Sequence, residues 1–222
     1  MSAVDEYVAE LDRNLYGQVR KKADLLTEAR DSLTDAAEAY QAAGYDDAEQ
    51  RAVADFGDVR LIAGEYQAEL GVSAGVHALH MMMLAIPAMQ GLFEATRLVS
   101  FGDWSKMTTA MPSWYMAIAG LHNAVSGGAA VLGALALLGT RFLGRWLASA
   151  SVARFAAVVL TVGVGANVLA VDALLLATSV VDVKRLLLNA PCVVVEILTV
   201  VVAVRLVVLA RRTWRSCANI VA

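Results

Sequence analysis

Four apolar stretches constrain the fold of this chain more than any other feature. They lie near residues 74–93, 114–138, 155–181 and 186–209, and each is long enough as a helix to cross a hydrocarbon core, which takes about 20 residues. The mean hydropathy of +0.59 is also too high for an ordinary soluble protein. The sequence therefore predicts an all-α, four-span protein embedded in a lipid bilayer.

Charged residues divide the chain into two parts. Residues 1–73 carry sixteen acidic and seven basic side chains, whereas the rest of the chain carries five acidic and eleven basic ones. The first part is therefore predicted to be a small acidic domain in water. Its opening sequence, MSAVDEYVAELDRNLYG, lacks the unbroken apolar run of a secretory signal, so we expect this domain to stay in the cytoplasm.

Basic residues predict the orientation of the spans. The segment between the second and third stretches carries Arg141, Arg145 and Arg154 without an acid, and RRTWR follows the fourth stretch. Basic flanks favour the cytoplasmic side of a membrane. We therefore expect both termini in the cytoplasm, with a four-span domain at 74–210 and a short basic tail at 211–222.

Apolar periodicity predicts four short helices in residues 1–73. The first carries a stripe from Val4 to Leu15 and is expected to end at Gly17, and the second covers about residues 18–43. The third is placed at 47–56, and the fourth follows it. The stripe expected on the second helix is Leu26, Ala29, Leu33, Ala36 and Tyr40, and that on the fourth is Val59, Ile62, Tyr66 and Leu70.

Turn residues predict how these helices are joined. Gly44 is expected to end the second helix in a left-handed conformation. Asp46 and Glu49 have the spacing of a capping box at the start of the third helix. In DFGDV, Phe56 is the expected last core residue of the third helix. Gly57 is expected to take a positive φ, and Asp58 to cap the fourth helix.

Three segments of this acidic part resemble a known family. YVAELDRNL, AYQAAGYDDAEQRAV and DFGDVRLIAGEYQAEL resemble the HAAS signalling domain, also called the permease prefix domain, of bacterial membrane proteins. The most specific match is AVADFGD at 52–58. The resemblance implies a bacterial cytoplasmic membrane and a PadR-like winged-helix transcription regulator as partner. Some members of such families precede transporter permeases.

The expected function is membrane-anchored signalling that couples membrane state to gene expression. An acidic face can compete with DNA phosphate for a basic protein surface, so we expect the chain to bind a regulator and not nucleic acid itself. A homo-oligomer and a structural role in recruiting another protein are left open. The expected partner-binding residues are Asp31, Asp35, Glu38, Glu49, Phe56, Gly57 and Asp58.

Polar residues at membrane depth suggest a second hypothesis. Asp172 and Glu196 each lie twelve residues from Lys184, so a hairpin turning there would place both carboxylates about 18 Å from its apex. His122 and Asn167 are the expected members of the same intramembrane polar cluster. Such a cluster favours an accessory subunit of a permease or a small transporter. The alternative is structural: one acid faces a polar groove and the other bonds a neighbour.

Two common signatures of catalysis and metal binding are absent from the sequence. GxxxxGK[ST] and HExxH do not occur, and we expect neither an enzyme nor a cofactor. His77 and His80 precede three methionines at 81–83, but no further ligand converges on them, and we expect packing and not a metal site.

Other residues of the spans are assigned to packing. Glu94 and Arg97 have the spacing of an i,i+3 ion pair. Small residues allow helices to approach closely. We expect a ridge of Ser126, Ala130 and Ala134, and close packing at Gly163 and Gly165.

Overall fold

The computed structural model describes the backbone of residues 2–102, 111–188 and 190–218, and the side chains of 2–100, 102, 111–181 and 190–214. Within these ranges all regular secondary structure is helical, which confirms the predicted fold class. The helices are α1 (Ala3–Asn14), α2 (Val19–Ala42), α3 (Ala48–Phe56), α4 (Val59–Phe101), α5 (Ser113–Leu143), α6 (Ser149–Leu188) and α7 (Ala190–Ala218).

The chain divides into two compact units, which are described separately below. The first comprises Met1–Ala74, Leu147–Arg154 and Arg212–Ala222, and the second comprises Gly75–Trp146 and Phe155–Arg211. The helix α4 contributes residues to both and is continuous over 43 residues. The fourth short helix and the first span, which were predicted as separate elements, are therefore parts of one helix. Nothing between Leu70 and Leu79 stops a helix, since the segment has no proline and its glycines lie in a helical backbone.

The core of the first unit forms where α1, α2, α3 and the beginning of α4 pack together. Ser2 caps α1, its Oγ accepting from the Asp5 N–H at 3.1 Å. On α2 the fully buried residues are Leu25, Ala29 and Leu33, so the predicted stripe was displaced by one position at Leu26, which is only partly buried. The buried core residues are Val4, Tyr7, Val8, Leu11, Leu15, Leu25, Ala29, Leu33, Ala63 and Leu70.

The turn between α2 and α3 confirms one prediction and overturns another. Gly44 has a φ of +88°, and the Tyr45 N–H donates to the Tyr40 carbonyl at 3.2 Å, which closes the helix as a Schellman motif. The predicted capping box of Asp46 and Glu49 is not formed. Asp47 stands at the cap of α3, and the Glu49 carboxylate accepts from the Ala3 N–H at 2.7 Å. A contact in space thus replaces the local one that the spacing favours.

The DFGD turn between α3 and α4 is formed as predicted. Gly57 has a φ of +108°, and the Asp58 carboxylate accepts from the Arg60 N–H at 2.8 Å at the first turn of α4. The Phe56 ring packs edge-on against Tyr7, with centroids 5.7 Å apart. The Tyr7 hydroxyl donates to the Gly57 carbonyl at 3.1 Å. This turn is therefore tied to α1.

The link between α1 and α2 is held by a side chain that the sequence did not single out. The helix α1 ends at Asn14 and not at Gly17. Gln67 of α4 is only 2% exposed; its Oε1 accepts from the Tyr16 N–H at 2.9 Å and its Nε2 donates to the Tyr16 carbonyl at 2.8 Å. A Cβ at Gly17 would lie 3.4 Å from the Leu70 side chain, so the glycine allows the backbone of this link to pack closely against Leu70.

Four helices of the described chain are long and apolar enough to cross a membrane, as expected of a multi-pass membrane protein. Three of them contain the stretches predicted at 74–93, 114–138 and 155–181. The fourth contains the stretch predicted at 186–209 only from residue 190 onward, because residues 186–188 belong to α6. The qualifying segments are Val59–Ser100, Ser113–Leu143, Ser149–Val181 and Ala190–Trp214.

Close packing in the second unit centres on Met82. This side chain is fully buried, and a Cβ added at Gly163 would lie 2.8 Å from its Sδ, while one at Gly133 would lie 3.1 Å from its Cε. Gly163 thus packs as predicted, whereas Gly165 has nothing within 4 Å. The predicted ridge on α5 is correct only at Ser126. The buried positions of α5 follow a seven-residue rhythm: His122, Ser126, Ala129, Gly133, Ala136 and Thr140.

The hairpin between the third and fourth spans turns later than predicted. The helix α6 continues to Leu188 and α7 begins at Ala190, so the apex does not lie at Lys184. Lysine and arginine are good helix formers and do not stop a helix by themselves. The position of Asp172 and Glu196 relative to the turn changes as a result.

Candidate functional site

The first candidate site is an acidic stripe on α2, defined as Asp24, Glu28, Asp31, Asp35 and Glu38. Alternating spacings of four and three residues place these carboxylates on one side of the helix, away from its buried leucines. All five are exposed, and their carboxylates form no hydrogen bond or ion pair within the described residues. At about 1.5 Å per residue the stripe is about 21 Å long.

Four bases of the first unit form ion pairs with acids outside the stripe. Arg30 binds Asp5 at 2.5 Å, which lowers the pKa of that carboxyl, and Arg51 lowers the pKa of Asp47 by a hydrogen bond of 2.7 Å. Further pairs of the first unit are Lys21–Glu69 at 3.0 Å and Lys22–Asp12 at 2.8 Å. The stripe therefore retains a negative charge that these bases do not neutralise.

The remaining predicted partner-binding residues serve the fold of the first unit. The Glu49 carboxylate is engaged by the Ala3 N–H, and the Gly57 carbonyl is engaged by Tyr7. Phe56 is partly buried on Tyr7, and Asp58 caps α4. Of the seven predicted residues, Asp31, Asp35 and Glu38 are the ones whose side chains stay unengaged.

The second candidate site is a cavity of about 350 Å³ in the second unit. All four long helices line it, with α4 contributing from Ile86 to Arg97 and α5 from Tyr115 to Ser126. Each segment covers twelve positions, and the eleven steps between its ends extend the cavity about 16 Å along the helices. Most of its wall is apolar, and polar side chains occur on every helix.

Most polar groups of this cavity satisfy one another. Arg97 donates to both carboxylate oxygens of Glu94, at 2.9 and 2.5 Å, which confirms the predicted ion pair. The uncharged pairs are Gln90–Asn123 at 2.5 Å, Ser126–Asn167 at 3.0 Å and Tyr115–Thr178 at 3.3 Å. Pairing removes most of the cost of placing polar groups at this depth.

Two polar side chains of the cavity wall carry an atom without a partner among the described residues. His122 is 8% exposed, and its Nδ1 has no hydrogen-bond partner. Glu196 lines the cavity and is partly buried, and within the described part of the chain its carboxylate makes no hydrogen bond or ion pair. Asn167 lies on the same wall. Three members of the predicted polar cluster thus share one cavity.

Asp172 does not belong to this arrangement. Its side chain is exposed and does not line the cavity. It lies 16 positions before the end of α6 at Leu188, about 24 Å along the helix, whereas Glu196 lies six positions after the start of α7 at Ala190, about 9 Å. The prediction that both carboxylates lie at the same depth is wrong, because the turn is displaced.

The histidines of α4 have ordinary surroundings. His77 and His80 are exposed, and the His80 Nδ1 lies 2.8 Å from the Val76 carbonyl oxygen. No group of three or more His, Cys, Asp or Glu side chains suited to a metal ion occurs among the described residues.

Two hydrogen-bonded contacts of the structure have no signal in the sequence. Gln90 and Asn123 lie on different helices, and their hydrogen bond depends on the phase of α4 against α5. A single glutamine such as Gln67 does not predict two hydrogen bonds to a loop residue fifty-one positions away. These residues are polar positions in otherwise apolar patterns, and that contrast is the one sequence feature that could have identified them.

Comparison with known proteins identifies no relative. No protein-family model, no curated protein and no solved structure matches the chain. The resemblance to the HAAS domain therefore stays a prediction from the quoted segments.

Proposed function

We propose that this chain is a membrane-anchored regulatory protein whose acidic stripe binds a basic surface of a cytoplasmic protein. The expected partner is a PadR-like winged-helix transcription regulator, and binding would couple the state of the membrane to gene expression. The single observation that carries the proposal is the unneutralised stripe on α2, in a unit where Asp5, Asp12, Asp47 and Glu69 are in ion pairs.

Electrostatics explains why such a stripe favours a basic partner. Carboxylates three or four positions apart on a helix lie about 5 to 6 Å from one another and repel. A surface rich in lysine and arginine relieves that repulsion and accelerates encounter. A winged-helix regulator has such a surface where it meets DNA phosphate, so the stripe and DNA would compete for it.

Binding to the regulator tests the proposal directly. The full chain is placed in phosphatidylcholine nanodiscs, and the dissociation constant is measured for each PadR-like regulator encoded in the same genome. The test variant combines Asp31→Asn, Asp35→Asn and Glu38→Gln. The matched control combines Glu6→Gln, Glu10→Gln and Asp46→Asn, which removes three exposed carboxylates outside the stripe.

The stripe variant is expected to bind about tenfold more weakly, since exposed pairs contribute about 0.2–1 kcal/mol each. The control variant should bind within about twofold of the unchanged chain, and added salt should weaken the unchanged complex most. Equal losses in both variants, or no binding by any of these regulators, would overturn the proposal.

The transport alternative required Asp172 and Glu196 to act as a pair. Only Glu196 lines the cavity, so the arrangement of these two residues does not support transport.

A further inference from the structure

We propose that the cavity of the second unit binds one small amphiphilic amine, whose protonated nitrogen pairs with Glu196. This site is independent of the acidic stripe and goes beyond partner binding. Its observations are a cavity of about 350 Å³, a carboxylate in its wall that pairs with none of the described residues, and a buried imidazole whose Nδ1 has no hydrogen-bond partner.

The charges of the wall determine the charge of the occupant. The formally charged side chains that line the cavity are Glu94, Arg97 and Glu196. The first two neutralise each other through a two-point ion pair. Glu196 therefore leaves one negative charge in an environment where an unpaired charge is costly. A cation is the occupant that removes this cost.

The composition of the wall favours an organic cation over a metal ion. A hard metal ion needs several oxygen ligands to replace its hydration shell. The described residues hold no cluster of three acidic, histidine or cysteine side chains, and aliphatic side chains such as Ile86, Val202 and Leu206 form much of the wall. An amine places one charged group at Glu196 and buries its hydrocarbon body against these residues.

Size and aromatic content narrow the ligand further. A cavity of this volume lies at the small end of ligand pockets and suits about ten to twenty non-hydrogen atoms. Phe93 and Tyr115 also line it, and aromatic faces attract cations. His122, which donates or accepts at either ring nitrogen, is available for a second polar group of the ligand. The site thus fits a compact amine with one further polar group or none.

The experiment uses the full chain in phosphatidylcholine nanodiscs and isothermal titration calorimetry. The probes are 1-aminoadamantane, 2-phenylethylamine and cyclohexylmethylamine, with 1-adamantanol and 1-adamantanecarboxylate as neutral and anionic matches to the first. Empty nanodiscs correct for partition into lipid. The test variant is Glu196→Gln, and the matched control is Asp172→Asn, which removes an exposed carboxylate outside the cavity.

At least one amine is expected to bind saturably at one site per chain. Glu196→Gln should weaken that binding at least about tenfold, because a hydrogen-bonded charge pair is lost, while Asp172→Asn changes it less than about twofold. The neutral alcohol should bind more weakly than its amine, and its affinity should not change in the Glu196→Gln variant. Ala203→Phe, which fills the cavity, should abolish binding of amine and alcohol alike.

Three results would overturn the inference: no saturable binding of any amine, equal affinity for amine and alcohol, or equal loss in the Glu196→Gln and Asp172→Asn variants. The first result would mean that Glu196 is neutralised by a proton of its own. Thermal unfolding of each variant verifies that it is folded. If the Glu196→Gln variant is not folded, binding to the Ala203→Phe variant decides whether the cavity is the binding site.

Discussion

Glu49 on α3 accepts a hydrogen bond from the backbone N–H of Ala3 on α1, at 2.7 Å, although the residues are 46 positions apart. The first N–H groups of a helix have no partner within the helix, and a carboxylate there also meets the positive end of the helix dipole. This hydrogen bond therefore joins α1 to α3 and gives a partner to an N–H group at the start of α1 that has none within its own helix.

Replacing Glu49 should loosen α1. Loss of a helix-capping group costs about 1 kcal/mol, so Glu49→Ala is expected to speed hydrogen exchange of the α1 amides about fivefold. Exchange is followed by mass spectrometry of the full chain in nanodiscs. Glu38→Ala, which removes a carboxylate without a partner, should leave α1 unchanged. Equal exchange in both variants would contradict the capping role.

Gly57 should be the glycine of the first unit least tolerant of a side chain. Its φ of +108° and ψ of 178° belong to a region that is essentially restricted to glycine. Gly57→Ala is expected to lower the free energy of unfolding by about 1–3 kcal/mol, measured by pulse proteolysis in urea. Gly64→Ala is the matched control.

Gly64 lies in the helical part of α4 with nothing within 4 Å of an added Cβ, so alanine there should be neutral or slightly stabilising. A similar loss at both glycines would mean that the conformation of Gly57 is not the cause.

Packing between Met82 and Gly163 should appear as an energetic coupling. Gly163→Val forces the Met82 sulfur out of a space where a Cβ would already lie 2.8 Å away, and overpacking of this kind costs about 1–3 kcal/mol. In a Met82→Ala background the same change should cost less than half as much. Thermal unfolding of the four variants of this cycle measures the coupling. Gly165→Val, at an open position, should be nearly silent; additive losses at 82 and 163 would contradict the contact.

The ion pair between Asp5 and Arg30 should make α1 sensitive to acid. The hydrogen bond from Arg30 holds the pKa of Asp5 below its ordinary value of 3.8. The pair's contribution to stability is therefore complete above pH 3.8 and is lost as the pH falls through the lower folded-state pKa. Arg30→Gln should return the Asp5 pKa towards its ordinary value, as read from carboxyl carbon shifts, whereas Arg20→Gln should not.

Local chemistry explains which parts of the fold were predictable. Gly44, Gly57 and Asp58 were identified correctly, because positive φ angles and helix caps depend on the residue itself and its nearest neighbours. The apolar stretches were found for a similar reason, since a span is defined by its own composition. These features need no knowledge of what packs against them.

The errors lie where a distant contact competes with a local pattern. Glu49 has the spacing of a capping box, yet it binds Ala3, and adjacent leucines at 25 and 26 both fit a stripe until a partner helix selects one. The charged residues after Asp172 suggest a turn, but they continue α6. That displacement separates Asp172 from Glu196. The prediction therefore placed His122, Asn167 and Glu196 together correctly and included Asp172 wrongly.

The burial of Met82 between Gly133 and Gly163 has a consequence for oxidative damage. Oxidation would add a polar oxygen to a fully buried sulfur that has no spare volume around it. The packed helices shield this thioether from oxidants, so it reacts chiefly in chains that have not yet assembled. A chain oxidised at that stage carries a sulfoxide that its two glycines cannot accommodate, and enzymatic reduction of Met82 must precede its assembly.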